Sequence, residues 1–245
     1  MTSPTEPRTP SLYQAVAITG LGVATIYGLQ LVLAAAGVLA IVASSLADLG
    51  TLGLLVWVAR RRRIDLGLRV PPARFLAAGL LVGLSAWYVA LQLVLWLQPP
   101  GDEKVLQKVV EQGSIGSAFV ALAVLPAIAE ELVFRGALAR GLAAHGPAWR
   151  AVLVSGCAFA AYHLIPSQMV GVLPLGLALG LLAVKSGSVV PGMIAHLVNN
   201  AIALVLSRDE LPGLSRELGA RPEITLVAAL VLLGCGVMLS ARGPA

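Results

Sequence analysis

Charged residues are scarce in this chain. Only 12% of its 245 residues are Asp, Glu, Lys or Arg, whereas 58% are hydrophobic. Soluble domains carry roughly 25% charged residues, and so few charges cannot cover a surface that meets water on every side. The composition therefore predicts an integral membrane protein, with the lipid bilayer as a partner. The net charge of +5 does not predict nucleic-acid binding, because the basic residues lie in short loops beside apolar runs, where they set topology.

Cysteine and alternating patterns are also lacking. Cys157 and Cys235 are the two cysteines and no CxxC pair occurs, which argues against a disulfide framework and predicts two small buried hydrophobes. The period-2 alternation of an outer-membrane barrel is missing. Backbone polar groups in lipid must pair within the spanning segment, so the long apolar runs predict helices. The predicted fold class is all-α, a polytopic membrane helix bundle.

The apolar runs divide into eight segments that approach the roughly 20 residues of a membrane span. They are residues 14–36, 40–59, 75–98, 117–134 with a continuation toward 142, 151–165 closed by a proline, 169–184, 189–206 and 224–239. Residues 14–245 are thus predicted to form one transmembrane domain of about eight helices. The polar loops 99–116 and 207–222 are each either a short amphipathic surface helix or a plain solvated loop.

Basic residues predict the orientation of the spans. The run from Arg60 to Arg63 follows the second segment, and Lys and Arg concentrate in cytoplasmic loops. Alternation from this loop places both termini in the cytoplasm, with residues 1–13 as a cytosolic tail. The high Ala, Leu and Gly content is typical of bacteria with GC-rich DNA, so a bacterial cytoplasmic (inner) membrane is the expected location.

Few ionisable side chains lie inside the predicted spans, and each is costly enough there to be a functional candidate. They are Asp48, Glu130, Glu131, His163 and His196. Asp48 is expected to make a hydrogen-bonded helix contact with Ser44 or Thr51. The other four, with Asn200, are expected to form a polar cavity inside the membrane.

The first motif runs from Glu130 to Arg135. Glu131 and Arg135 are four residues apart on one helix face, in the favourable order for an ion pair. The helical period turns Glu130 about 100° away from Glu131. Arg135 is therefore expected to pair with Glu131 and hold the helix register, which leaves Glu130 free for chemistry.

The second and third motifs place imidazoles in neighbouring spans. Phe159 and His163 share a helix face, so that the aromatic ring can orient the imidazole. His196 shares a face with Asn200. A glutamate and a histidine can hold one water and accept its proton, and we assign Glu130 and His163 to this role. A second histidine and an amide can donate to an oxygen that gains charge. His196 and Asn200 are assigned to this oxyanion.

Together, the motifs EExxxR, FxxxH and HxxxN resemble those of the CPBP family, which includes CAAX prenyl proteases of the Rce1 type and bacterial bacteriocin-processing or immunity proteins. The motifs follow the family's order, each on its own apolar span, and the likeness covers roughly residues 118–206. The resemblance implies a bundle of about eight helices around a conical cavity. It also implies a glutamate-dependent endopeptidase, with a protease core at about 117–207.

The resulting hypothesis is an intramembrane endopeptidase that hydrolyses membrane-anchored or lipidated proteins. A bacterial source favours leader-peptide maturation, or trimming of a C-terminal sorting helix as in sortase-like members of the family from myxobacteria. The alternative is a non-catalytic immunity or scaffold protein of the same fold. No cofactor is expected, since HExxH is missing. A bound zinc remains an alternative, for which Glu130, His163 and His196 would supply a His₂Glu ligand set.

Overall fold

The computed structural model describes residues 7–101 and 103–241, apart from the side chains of residues 103–106. Ten helices follow one another in this part of the chain: α1 (Leu12–Ala35), α2 (Ala40–Arg62), α3 (Ala73–Leu97), α4 (Glu103–Val110), α5 (Ile115–Ala144), α6 (Ala148–Tyr162), α7 (Pro166–Ser186), α8 (Val190–Ser207), α9 (Pro212–Ala220) and α10 (Pro222–Ala241). The all-α prediction is confirmed.

Seven of these helices are long and apolar enough to cross a membrane, namely α1, α2, α3, α5, α7, α8 and α10. The predicted fifth span corresponds to α6, which has only 15 residues. At 1.5 Å per residue it is about 22 Å long, less than the roughly 30 Å of a hydrocarbon core. The chain is an integral membrane protein with seven candidate spans and one shorter apolar helix, which agrees with the prediction of about eight helices.

Local sequence sets the helix ends. The Ser11 hydroxyl accepts a hydrogen bond from the Gln14 N–H, and the Gln14 side chain accepts one from the Ser11 N–H, which caps α1. Gly187 ends α7 in the left-handed conformation, with φ of 65°. Pro166 and Pro191 lie in the first turns of α7 and α8, where a missing N–H costs little. Pro166 therefore opens α7, and the prediction that it closes the preceding span is wrong.

Both polar loops contain a short helix. These are α4 and α9, so the alternative of a plain solvated loop is wrong in each case. Arg208, at the end of α8, ties down the chain after α4. Its guanidinium donates to the carbonyl oxygens of Val110 at 2.6 Å and Gln112 at 2.7 Å. Asp102, in the first of these loops, lies outside the described residues.

Helix α5 is the centre of the bundle. Of its apolar window 56% is buried inside the protein, against 39% or less in the other candidate spans. It contains two π-helical stretches, Val120–Val124 and Glu131–Ala139. A π turn holds more residues than an α turn and often occurs at functional sites. Because the second stretch begins at Glu131, the α-helical angle expected between Glu130 and Glu131 does not apply there.

Glycines bring the surrounding helices close together. A Cβ at Gly79 or Gly83 of α3 would overlap the backbone oxygen of Pro191 or Ala195 in α8. A Cβ at Gly176 of α7 would lie 3.0 Å from the Gly156 oxygen of α6. These contacts hold α6 against α7 and α8 against α3. Helix α6 carries the second motif and α8 the third.

The outer surface of the bundle is apolar, as contact with lipid requires. Cys157 and Cys235 are exposed on this surface, so the prediction that they are buried is wrong. Residues 1–6 of the predicted tail and residues 242–245 lie outside the described part of the chain. Arg8 pairs with the loop after α2, its N–H donating to the Arg63 oxygen at 2.8 Å. The domain boundaries and the side of the membrane on which the tail lies stay predictions.

Candidate active site

A polar cavity of about 550 Å³ lies inside the bundle, beside the middle of α5. Its lining comes from α1, α2, α5, α6, α7 and α8, and valines from the end of α4 lie at its edge. The polar residues that line it are Tyr27, Gln30, Ser44, Asp48, Glu130, Tyr162, His163, Gln168, His196, Asn199, Asn200 and Ser207. The four residues assigned to water and oxyanion chemistry therefore lie on one cavity. No Lys or Arg belongs to its described lining.

Glu131 and Arg135 form a buried ion pair beside the cavity. The Arg135 Nη1 donates to the Glu131 Oε1 at 2.8 Å, and both side chains are fully buried. The Arg135 Nη2 donates to the Gly176 oxygen of α7 at 2.9 Å. The expected pairing is thus present, and it also ties α5 to α7. Such a pair is costly to break, because either partner alone would be a buried charge.

His196 lies between the two glutamates. Its Nδ1 is 3.3 Å from the Glu131 Oε1, and its Nε2 is 3.8 Å from the Glu130 Oε2. A carboxylate only accepts, so Nδ1 carries the hydrogen that points to Glu131. The separation from Glu130 is too long for a hydrogen bond. The Nε2 edge is therefore still available to a further group between the ring and Glu130. Glu131 pairs with Arg135 and Glu130 lines the cavity, as predicted. It was not predicted that both glutamates would flank one imidazole.

Phe159 orients both imidazoles. Its ring is buried and meets the rings of His163 and His196 edge to face, with centroids 5.0 and 5.5 Å apart. The Arg135 guanidinium lies 4.3 Å from the centre of the same ring, a cation–π contact. The packing of Phe159 on His163 is as predicted. Its contact with His196 and Arg135 joins all three motifs and was not predicted.

His163 occupies the end of α6. Its Nδ1 lies 2.9 Å from the Phe159 carbonyl oxygen. A carbonyl oxygen only accepts, so Nδ1 carries the hydrogen and, in the neutral ring, Nε2 is left as a hydrogen-bond acceptor. The next residue, Leu164, adopts the left-handed conformation with φ of 60° and directs the chain into α7.

Two amides line the cavity on α8. The Asn200 Nδ2 donates to the Leu122 oxygen of α5 at 3.1 Å, and the Asn199 Nδ2 donates to the Asn200 Oδ1 at 3.2 Å. An amide nitrogen has two hydrogens, so Asn200 keeps one for another acceptor. The Asn199 Oδ1 is buried without a partner among the described residues.

Sequence reasoning missed three further residues of the cavity. Asp48 of α2 is only 2% exposed and faces it. Its predicted bond with Thr51 is wrong, because the Thr51 hydroxyl donates to the Ala47 oxygen at 2.9 Å, and no bond with Ser44 is found. The Tyr162 side chain interacts with Glu130, and the Tyr27 hydroxyl donates to the Tyr162 carbonyl oxygen. Aromatic residues in apolar helices have no sequence signal that separates cavity from core.

The described residues contain no group of three His, Cys, Asp or Glu side chains arranged as metal ligands. Glu130, His163 and His196 share the cavity without forming such a set. Metal dependence stays a matter for experiment, as does the prediction that no cofactor is needed.

Fold and site define the class of the protein: a polytopic membrane protein in which carboxylates, imidazoles and amides converge on an intramembrane cavity. Residues 113–202 match the family model described as type II CAAX prenyl endopeptidase Rce1-like. This segment contains all three motifs, and the resemblance to the CPBP family is confirmed over it. No match to a curated protein or to a solved structure was found. This match supports a CAAX-type intramembrane protease.

Proposed function

We propose that the chain is an intramembrane endopeptidase that hydrolyses a peptide bond of a membrane-anchored or lipidated protein with water. The observation that carries this proposal is the convergence of Glu130, His163, His196 and Asn200 on one cavity within the Rce1-like segment. Hydrolysis within a bilayer needs a protected place for water and a base beside it. The cavity supplies both.

Glu130 and His163 hold and activate the water in this proposal. The donation from His163 Nδ1 to the Phe159 oxygen leaves Nε2 to accept from water. The Glu130 carboxylate takes the second proton as water attacks the scissile carbonyl carbon, and returns it to the leaving nitrogen when the C–N bond breaks. Glu131 does not compete for this role, because it is fully buried in its ion pair with Arg135 and does not line the cavity.

His196 and Asn200 stabilise the oxyanion. Asn200 offers its second amide hydrogen, since the first is bonded to Leu122. His196, when protonated on both nitrogens, donates from Nε2 and is held through Nδ1 by Glu131. Donors that are fixed before the reaction stabilise developing charge without reorganisation. Glu131, Arg135 and Phe159 act as positioning residues.

The cavity lies away from the basic end of the bundle. Asp48 and Ser44 line it from the first half of α2, whereas Arg60, Arg61 and Arg62 form the last turn of the same helix. If this arginine end faces the cytoplasm, the cavity opens toward the other side. This arrangement supports an exported substrate in a bacterial inner membrane, such as a protein with a C-terminal sorting helix, over a cytoplasmic prenylated one.

The proposal is tested in cells that express the wild type, Glu130→Ala or His163→Ala, with Glu223→Ala as a control for an exposed glutamate on α10. Mass spectrometry of membrane proteins compares their N- and C-terminal peptides. We expect one or more termini to be present with the wild type and Glu223→Ala and absent with the two cavity variants. Identical termini in all four strains would contradict the proposal and favour an immunity or scaffold role.

We also propose that no bound metal is needed. Cleavage in proteoliposomes should then continue at the same rate after treatment with a zinc chelator. Loss of activity that added zinc restores would contradict this and favour Glu130, His163 and His196 as a ligand set.

A further inference from the structure

Asp48 is a buried carboxyl group that neither the motifs nor the proposed chemistry uses. It lies eight residues into α2 and is 2% exposed. Its side chain lines the same cavity as Glu130 and is close enough for the two carboxyl groups to influence each other electrostatically. A carboxyl group at this depth is expensive, so its presence calls for a partner.

The described part of the protein provides no such partner. The Asp48 Oδ2 is buried without a hydrogen bond. The Thr51 hydroxyl donates to the Ala47 oxygen and the Ser45 hydroxyl to the Ile41 oxygen. Ser44 lines the cavity with Asp48, but no hydrogen bond joins the two side chains. No Lys or Arg belongs to the described cavity lining. Most buried polar groups in proteins are paired, and an unpaired carboxyl group on a residue that lines a cavity points to a donor brought by a ligand.

A peptide substrate brings that donor. A transmembrane segment keeps its backbone N–H groups paired while it is helical. To be cut, it must present an extended stretch to the base, and the N–H groups of this stretch then lose their partners in a place without bulk water. Each unpaired N–H is costly in an apolar medium. The carbonyl side of the scissile bond meets His196 and Asn200, whereas the N–H groups need an acceptor.

We infer that Asp48 forms a substrate-binding subsite that accepts hydrogen bonds from backbone N–H groups of the unwound peptide next to the scissile bond. This inference rests on the proposed endopeptidase activity. Asp48 contributes by holding the extended strand across the cavity, while Glu130 handles the proton.

The test compares Asp48→Ala, Asp48→Asn and Ser45→Ala in proteoliposomes. Ser45→Ala is the matched control, since Ser45 lies on the same helix and does not line the cavity. The probe is a synthetic segment of the membrane protein whose new terminus depends on Glu130 in the cell experiment. Because a buried N–H of the substrate would be left without an acceptor, KM of Asp48→Ala should rise about 10- to 100-fold with a much smaller change in kcat. Asp48→Asn, which keeps an acceptor oxygen, should fall between Asp48→Ala and the wild type.

Thermal unfolding in detergent separates this subsite from a structural role. Because the Asp48 Oδ2 has no partner to lose, neither Asp48 variant should have a lower Tm than the wild type. A Tm several degrees lower, or an unchanged KM in Asp48→Ala, overturns the inference while the Glu130-dependent cleavage still stands. A fall in kcat with KM unchanged, equal in both variants, also overturns it and assigns Asp48 to proton transfer. If no terminus depends on Glu130, the proposed function and this inference fall together.

Discussion

The two ends of the bundle each contain a buried arginine and a carboxylate, yet they use them differently. At the arginine-rich end, Arg140 donates to Asp65 at 2.7 Å and to the Gly187 oxygen, and the other Asp65 oxygen accepts from the Gly67 N–H at 2.8 Å. Every oxygen in that network has a donor. At the cavity end, Arg135 pairs with Glu131, but oxygens remain without one.

The buried oxygens without a hydrogen bond are concentrated at the cavity end. Among the described residues, the buried side-chain oxygens without a hydrogen bond are those of Asp48, Glu131 and Asn199. Two of them line the cavity, and the third belongs to the ion pair beside it. Unsatisfied acceptors in an apolar medium cost stability. We infer that the arginine-rich end holds the loops together. The cavity end instead keeps hydrogen-bond acceptors available for water and substrate, at a cost in stability.

The largest expected effect is on activity at the cavity end. Glu130→Ala should lower the rate of cleavage by about 10²- to 10⁴-fold, the range for loss of a general base, with little loss of stability. The rate is measured on the purified protein in proteoliposomes, with Glu223→Ala as the control. A Glu130→Ala protein that cleaves at more than half the wild-type rate would remove the distinction between the two ends.

The next effect is on stability at the same end. Glu131→Ala leaves the Arg135 guanidinium buried without its carboxylate and should lower the free energy of unfolding by about 3–5 kcal/mol. A double variant, Glu131→Leu with Arg135→Leu, should lose less than the sum of the two single leucine variants. Denaturant unfolding in mixed micelles measures all of them. Strict additivity would show that the pair is not energetically coupled.

At the arginine-rich end, stability and activity should separate. Arg140→Ala removes the bonds to Asp65 and Gly187 and should cost about 1.5–3 kcal/mol, as for hydrogen bonds of charged groups. The turnover per folded molecule should stay at the wild-type value, because Arg140 does not line the cavity. The measurement is kcat after correction for the folded fraction. A fall in kcat comparable to that of Glu130→Ala would mean that both ends serve the reaction.

The smallest effect concerns the contact between α6 and α7. This contact positions the end of α6, where Phe159 and His163 lie beside the cavity. A Cβ at Gly180 would lie 3.1 Å from the Ser155 Oγ and 3.3 Å from the Val152 Cα. Gly180→Ala should therefore cost ~1 kcal/mol through overpacking. Gly234→Ala, where a Cβ meets nothing within 4 Å, is the control. Equal unfolding free energies in the two variants would show that this contact is not tightly packed.

Much of the fold was predictable, because each membrane span is a long run of apolar residues that is visible in the sequence. The apolar runs locate eight helices to within a few residues, and the i, i+4 spacing predicts the Glu131–Arg135 pair. The spacing rule could not foresee the π-helical stretch that begins at Glu131, since a π turn depends on tertiary packing. For this reason the contact of His196 with Glu131 was not expected.

The site was only partly predictable for a related reason. Glu130, His163 and His196 stand out in the sequence because ionisable side chains are energetically costly inside a membrane. The sequence does not show how the helices that carry them are rotated relative to one another. Asp48 carries the same cost and was assigned to a local bond, because the sequence does not tell which face of α2 meets α5. Only the packed bundle places Asp48 and Glu130 on the same cavity.

The most direct test of the central claim, that the cavity activates water, is hydrolysis in water enriched in ¹⁸O. The precursor with the Glu130-dependent terminus is incubated in proteoliposomes, and mass spectrometry determines the mass of the new C-terminal carboxylate. We expect one ¹⁸O atom per cleaved bond with the wild type and about 100-fold less product, or less still, with Glu130→Ala. Cleavage that proceeds without ¹⁸O in the product, or that continues at a rate close to the wild-type rate in Glu130→Ala, would contradict the claim.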